Sequence, residues 1–186
     1  MLLLGRAARL FGSGTRGRGS PARPHTAAAG CIPWDNSQRK EKHPINNHSC
    51  DCTCNQTDHG PNPYAANIVC AARANEDYRT AFWTGHHLQM TLMSIPEGDD
   101  IGLEMHPDVD QCIRVECGKA TVRMGSCQCK LTVTCTLNAG DAVFVPCGTW
   151  HNILNAGCGC LKLSSIYAPP QHPWGTVQPT KEDAEH

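Results

Sequence analysis

From Arg79 to Tyr167 the chain shows no sustained helical period. Short runs of alternating apolar and polar residues are interrupted every few positions by Gly, Asn, Asp or Pro. The runs at 79–83, 87–95, 101–106, 111–116, 119–124, 131–137, 142–146, 151–155 and 161–167 read as strands, with a further candidate at Asn67 to Ala71. Between His87 and Ile95 the alternation is clear: Leu88, Met90 and Leu92 fall on one side, Gln89 and Thr91 on the other. Pro96-Glu97-Gly98-Asp99 is a strong turn. Many short strands joined by short connections predict an all-β fold, an antiparallel sheet closed into a barrel or doubled into a sandwich. Thr180 and Asp183 have the spacing that caps one short C-terminal helix.

Two stretches place metal-binding side chains on this pattern. In the first, Gly98 to Gly118, Glu104 and His106 stand two apart. On a strand they share a face, roughly 6.6 Å apart along its axis. Gln111 follows a turn and shares its side with Ile113 and Val115, so an amide points the same way as an apolar row. In the second, Gly140 to Asn155, His151 follows the tight turn Pro146-Cys147-Gly148. Glu104, His106, Gln111 and His151 are the four candidates to converge inside a small barrel.

At these residues the chain resembles the cupin superfamily. Its first motif, G-x5-H-x-H-x4-E-x6-G, is matched at Gly98, His106 and Gly118, with Glu104 in place of the first His and Gln111 in place of the Glu. Its second motif, G-x5-P-x-G-x2-H-x3-N, is matched at Gly140, Pro146, Gly148, His151 and Asn155. The resemblance extends from about Asn62 to Asp183, and the stretch from Tyr167 to Val177 looks like that of small single-domain bacterial cupins. It implies an antiparallel jelly-roll barrel over residues 63–176, a C-terminal extension over 177–186, and a divalent transition metal such as Fe, Mn, Zn or Ni. The usual cupin set of three His and one Glu carries one negative charge, and so does the set here. The carboxylate has moved within the set. Two His and a carboxylate form the donor set of non-haem Fe(II) oxygenases, which leave positions open for substrate and dioxygen.

Composition bounds the rest. At 186 residues the chain has room for one ordinary domain and tails, and 40% hydrophobic content supports a core. Residues 1–34 hold five of the 16 basic residues and no acid, leaving 11 basic and 17 acidic residues for the remainder. A mildly acidic globular part argues against nucleic acid as the main partner. No apolar run approaches the roughly 18 residues of a membrane span. Residues 1–30, rich in Arg, Ala, Gly and Ser, have the composition of an organelle transit peptide. The expected location is therefore an organelle matrix if that segment is a transit peptide, and the cytoplasm otherwise. Residues 31–62 are polar and read as a disordered tail. Within it, Cys50, Cys52 and Cys54 between His48 and His59 offer soft-metal ligands at spacings tighter than structural zinc sites use. Asn47 and Asn55 fit the glycosylation pattern. The 13 cysteines are odd in number and lack a secretory signal, so most read as reduced thiols. Strand directions gather Cys127, Cys129 and Cys147 at the barrel mouth, and Cys117, Cys158 and Cys160 at the far end.

Three functions fit these features. The first is a metal-dependent enzyme acting on a small molecule, oxygenase-like in its donor set. The second is a sugar-phosphate isomerase. It would need an inward cation for the phosphate, and Arg114, Arg123 and Lys162 all alternate with apolar neighbours so as to point outward. The third is a metal- or small-molecule-binding module without turnover. The partner expected is a small molecule, and the candidate assembly is a homodimer.

Overall fold

The computed structural model describes residues 57–184. The stretch 1–30, His48, Cys50, Cys52 and Cys54, and the sites at Asn47 and Asn55 lie outside the described residues. His59 is described, and its ring stacks on Tyr64 at 3.8 Å.

Just ahead of Pro63, Asp58 is buried and held by four donors. Its Oδ1 accepts from Gly60 N at 3.0 Å and Thr84 N at 2.9 Å; its Oδ2 accepts from Thr84 Oγ1 at 2.5 Å and Gly175 N at 3.1 Å. The hydropathy of 57–62 gives no sign of this. A carboxylate that satisfies several donors orders a segment without burying apolar surface.

The first regular element is a helix, α1 (Ile68–Ala74), where Asn67 to Ala71 reads as a strand. The β-branched Ile68 and Val69 suggest a strand, but the Ala-rich run behind them favours helix. Asn67 starts it, its Oδ1 accepting from Cys70 N at 3.1 Å. The strands follow: β1 (Arg79–Thr84), β2 (Gln89–Ile95), β3 (Asp110–Cys117), β4 (Lys119–Gly125), β5 (Val133–Asn138), β6 (Ala142–Val145), β7 (Trp150–Asn155), β8 (Leu161–Ala168) and β9 (Val177–Gln178). A 3-10 turn at Glu182–Ala184 ends the described chain, with Asp183 Oδ2 accepting from Thr180 N at 2.9 Å.

The strands form two antiparallel sheets, one ordered β6-β3-β8-β2-β1-β9 and the other β5-β4-β7. Their inner faces share one apolar core. Met93, Ile113, Val115, Leu161 and Leu163 come from the large sheet, and Val122 and Ile153 from the small one. Burying each of these aliphatic side chains is worth about 1.5–3 kcal/mol. The outer face of the large sheet is covered by α1, whose Ala71 and Ala72 pack on Phe82 and Leu92. The fold is the expected all-β barrel.

One expected strand is replaced by something looser. Residues 101–106 do not form a continuous ladder; only Asp100 and Glu104 bridge, to Leu154 and His151 of β7. Gly102 explains the break. It sits at φ +81°, where its N–H turns to Asp100 Oδ1 at 2.8 Å instead of toward β7. The ladder resumes at Glu104, whose N donates to His151 O at 3.0 Å and whose O accepts from His151 N at 2.9 Å.

The register places the turns at 107–110, 125–130 and 147–150 at one end, since Gln111 faces both Val145 and Tyr167, and Gly125 faces Trp150. At the opposite end Asn155 ties three segments together. Its Nδ2 donates to Ile95 O, Pro96 O and Gly159 O at 3.0, 3.0 and 2.7 Å, and its Oδ1 accepts from Gly157 N at 3.0 Å. Asn155 is thus a structural member of the second motif. Asn155→Asp would set an acceptor-only carboxylate against three carbonyls. The expected cost is about 3 kcal/mol, a Tm lower by roughly 10 °C. Thermal unfolding checks it, and metal affinity of the folded variant should not change.

Candidate metal centre

Glu104 and His151 face each other because their backbones form a bridge between the 100–106 segment and β7. His106 is anchored two residues on, its O accepting from Gly148 N at 2.7 Å in the turn before β7. The two motifs are therefore physically stitched together at the site they define. Glu104 Oε1 lies 3.4 Å from His106 Nε2 and 3.3 Å from His151 Nε2, and the imidazole centroids are 5.7 Å apart. One ligand atom from each of the three residues can be chosen so that all lie within 4.8 Å of one another.

Burial sharpens the arrangement. His151 is fully buried, His106 nearly so, and the Glu104 side chain is 23% exposed. Glu104 Oε1, His106 Nε2 and His151 Nε2 are buried polar atoms without a well-formed hydrogen bond. At 3.3–3.4 Å their mutual contacts are ion-pair distances. His151 Nδ1 lies 3.0 Å from Thr149 O. A carbonyl only accepts, so Nδ1 carries a proton, and Nε2 is the nitrogen left to ligate a metal. Donors ~2.1 Å from one tetrahedral ion stand about 3.4 Å apart. The three residues fit a divalent metal by donor type, by spacing and by their unsatisfied atoms.

Charge points the same way. Burial alone would raise the Glu104 pKa. The His106 and His151 rings and the Arg79 guanidinium overcome it and hold the carboxyl down at about 2. Tyr167, fully buried, has its phenol pushed up by burial first and by the Glu104 charge second. Gln111 stands on the same inner face. Its Nε2 donates to Ser165 Oγ at 2.9 Å, and its Oε1 is buried without a partner.

Three residues at this end carry no sequence signal. Arg79, 5% exposed, reaches inward from the start of β1. Its Nη2 lies 3.8 Å from Glu104 Oε2, and its Nη1 donates to Gln178 Oε1 at 3.1 Å. His172 meets the Tyr167 ring at 5.1 Å, edge to face, and Tyr167 meets His106 at 5.8 Å. Burial, then the Arg79 charge, push the His172 pKa down to about 4 against the pull of Glu104, so the ring is neutral at pH 7. Gln89, fully buried, accepts from His172 N at 2.8 Å and donates to His172 O at 2.8 Å, fixing the loop that carries His172.

Other side chains able to bind a metal or a ligand fall elsewhere. His86 and His87 are exposed. Arg114 points outward to pair with Glu116, Arg123 is exposed, and Lys162 donates to Asn75 O and Ser94 Oγ on the outer face. Trp174 is exposed, its Nε1 donating to Gly60 O. Asp141 serves its turn by accepting from Asn138 N at 2.8 Å. Cys127 and Cys129 are joined in a disulfide, while Cys112, Cys117, Cys135, Cys147, Cys158 and Cys160 are free thiols. A mouth cluster of three reduced thiols is therefore not what the structure holds. No helix among the described residues is long and apolar enough to cross a membrane.

Residues 91–167 match the family described as the cupin domain. The chain is 52% identical over 127 residues to the uncharacterized protein YrkC of Bacillus subtilis, covering 68% of each. The chain belongs to the cupin family. This cupin is also 38% identical over 115 residues to the uncharacterized protein L612 of Acanthamoeba polyphaga mimivirus, covering 61% of this chain and 70% of that one. Among solved structures, BH2720 from Bacillus halodurans is 53% identical with a TM-score of 0.69, covering 69% of this cupin and 98% of its own chain.

Proposed function

We propose that this cupin holds one divalent transition metal through Glu104, His106 and His151 and acts on a small molecule as a metal-dependent enzyme, oxygenase-like in its donor set. The observation that carries the reading is the convergence of three buried donor atoms, each without a hydrogen-bond partner, at metal-ligand spacing. When bound, the metal would serve as a Lewis acid or activate dioxygen. The protein's own part is to hold the donors and shape what enters. Thr149 O fixes the His151 tautomer. Gln111, with Oε1 free on the inner face, serves as a fourth ligand or orients a water. Neutral His172 offers a ring nitrogen for proton transfer at the same end. The apolar inner face below excludes bulk water.

Metal analysis of anaerobically purified protein tests this, with titrations by Fe(II), Mn(II) and Zn(II). About one equivalent per chain is expected. Substoichiometric binding of all three ions would overturn the reading. Gln111→Ala should weaken binding less than tenfold, because an amide adds no charge.

A second reading, an isomerase of sugar phosphates, gains from Arg79. It is the inward cation that Arg114, Arg123 and Lys162 do not supply. Oxygen uptake with a turned-over substrate favours the first reading, and aldose–ketose interconversion without oxygen favours the second.

A further inference from the structure

The hairpin between β4 and β5 carries a covalent bond that its architecture does not need. The two strands pair in unbroken register from Lys119 with Asn138 to Met124 with Val133. Past the last pair, Lys130 N donates to Cys127 O at 3.0 Å, so the backbone already closes the tip. Cys127 and Cys129 are bonded to each other inside it, with Cα atoms 5.4 Å apart. A ring with one residue between its cysteines restricts the unfolded chain little, so its contribution to stability is small.

Its placement suits chemistry instead. Residues 126–130 are all exposed, so a small molecule can reach the bond. Exposed disulfides belong to the labile class that exchanges with thiols, whereas structural ones resist reduction. The two sulfurs also differ. Cys129 N donates to Cys127 Sγ at 3.3 Å. An N–H aimed at a sulfur steadies the thiolate that forms there when the S–S bond breaks. A steadier thiolate leaves faster. Cys127 is therefore the leaving sulfur and Cys129 the one attacked. Lys130, exposed and next in the chain, adds positive charge for an incoming thiolate.

We propose that Cys127 and Cys129 form a thiol–disulfide exchange site for small monothiols, with Cys129 Sγ as the atom attacked. The thiolate of a first thiol, RS⁻, bonds to Cys129 Sγ as the bond between the two cysteines breaks, and Cys127 leaves as a thiolate. A second RS⁻ attacks the R-borne sulfur of that mixed disulfide. RSSR departs and Cys129 is left as a thiolate. Two thiols are oxidised and one disulfide is reduced, by two electrons, and the two protons of the thiols end on the cysteines. The exchange involves none of Glu104, His106 or His151, so it stands apart from the metal reading.

The full chain tests this. Trypsin cuts after Arg123 and Lys130, and the peptide 124–130 holds Cys127 and Cys129 and no other cysteine. The protein would be equilibrated with graded mixtures of reduced and oxidised glutathione, quenched in acid and alkylated, and the peptide read by mass spectrometry. The peptide should pass reversibly from disulfide to doubly alkylated as reduced glutathione rises. Cys127→Ser and Cys129→Ser each leave one thiol on the same backbone. At pH 7 the Cys127 thiol should react with iodoacetamide about threefold faster than the Cys129 thiol. The Tm of either variant should fall by less than about 4 °C. A peptide that stays oxidised in pure reduced glutathione, or reduced in pure oxidised glutathione, would overturn the proposal. So would a larger fall in Tm in both variants, the mark of a structural disulfide. Equal or reversed thiol reactivities would overturn the assignment of Cys129 as the atom attacked.

Discussion

Glu104→Gln should weaken divalent metal binding by about a hundredfold or more, roughly 2.8 kcal/mol, while the barrel stays folded. Glu104 is the carboxylate of the candidate ligand set, and its Oε1 stands within 3.4 Å of both imidazoles. A divalent ion next to a buried apolar face needs a compensating anion, and an amide of the same shape supplies none. His106→Ala should also weaken binding, by removal of a donor. Glu104→His combined with Gln111→Glu restores the usual cupin set and should recover metal affinity. It should not recover the full stability of the protein without metal, because Arg79 then loses the carboxylate at 3.8 Å. The checks are titration with Fe(II), Mn(II) and Zn(II), and thermal unfolding after chelation. An unchanged affinity in Glu104→Gln would mean that the moved carboxylate is only a counterion for Arg79.

The second large effect is expected at a residue outside the candidate ligand set. Asp58→Ala should cost about 2–4 kcal/mol, because it strips the partners from three backbone N–H groups and one hydroxyl. Its pH dependence carries a defined sign. Burial alone would raise the Asp58 pKa, but the hydrogen bonds from Thr84, Gly175 and Gly60 outweigh it and hold the carboxyl below its ordinary value of 3.8. A folded-state pKa below the unfolded one gives stability that is present above the unfolded value and lost as pH falls through the folded value. Wild-type stability should therefore decline in acid more steeply than that of Asp58→Ala. Asp58→Asn keeps an acceptor for Gly60 and Thr84 and should fall between the two. Denaturant titrations at pH 7 and pH 3 check this; wild type and Asp58→Ala with equal midpoints at pH 7 would show that the four hydrogen bonds contribute no net stability.

The sequence carries the barrel because period-2 alternation and turn residues survive without any tertiary information. Its two motifs also carry His106, His151 and the displaced Glu104, since spacing alone puts them at strand ends that meet. Arg79 and Gln89 are hidden for a physical reason. The large sheet is covered on both sides, by the core and by α1, so alternation along β1 and β2 no longer separates inside from outside. In β2 the apolar Met90 and Leu92 lie on the helix side, and the polar Gln89 and Thr91 face the barrel interior. His172 lies in a proline-rich loop with no period to read. The helix α1 was obscured by two β-branched residues at its start, where the cap on Asn67 is the better signal.

Asp58 has a consequence beyond stability. Its Oδ2 takes the Thr84 hydroxyl, Thr84 Oγ1 takes Gln89 Nε2, and Gln89 closes on both the N–H and the carbonyl of His172. The same carboxylate takes Gly175 N at the far side of that loop. These links form a clasp, with its latch in the few residues ahead of the barrel and its bar lying across the end that carries the candidate ligands. A chain trimmed to start just after Asp58 would keep α1, every strand and the three candidate ligands, yet loosen the loop of His172 at its Gly175 side. Such a shortened protein would keep the candidate ligands together and still misreport how firmly His172 is held beside them.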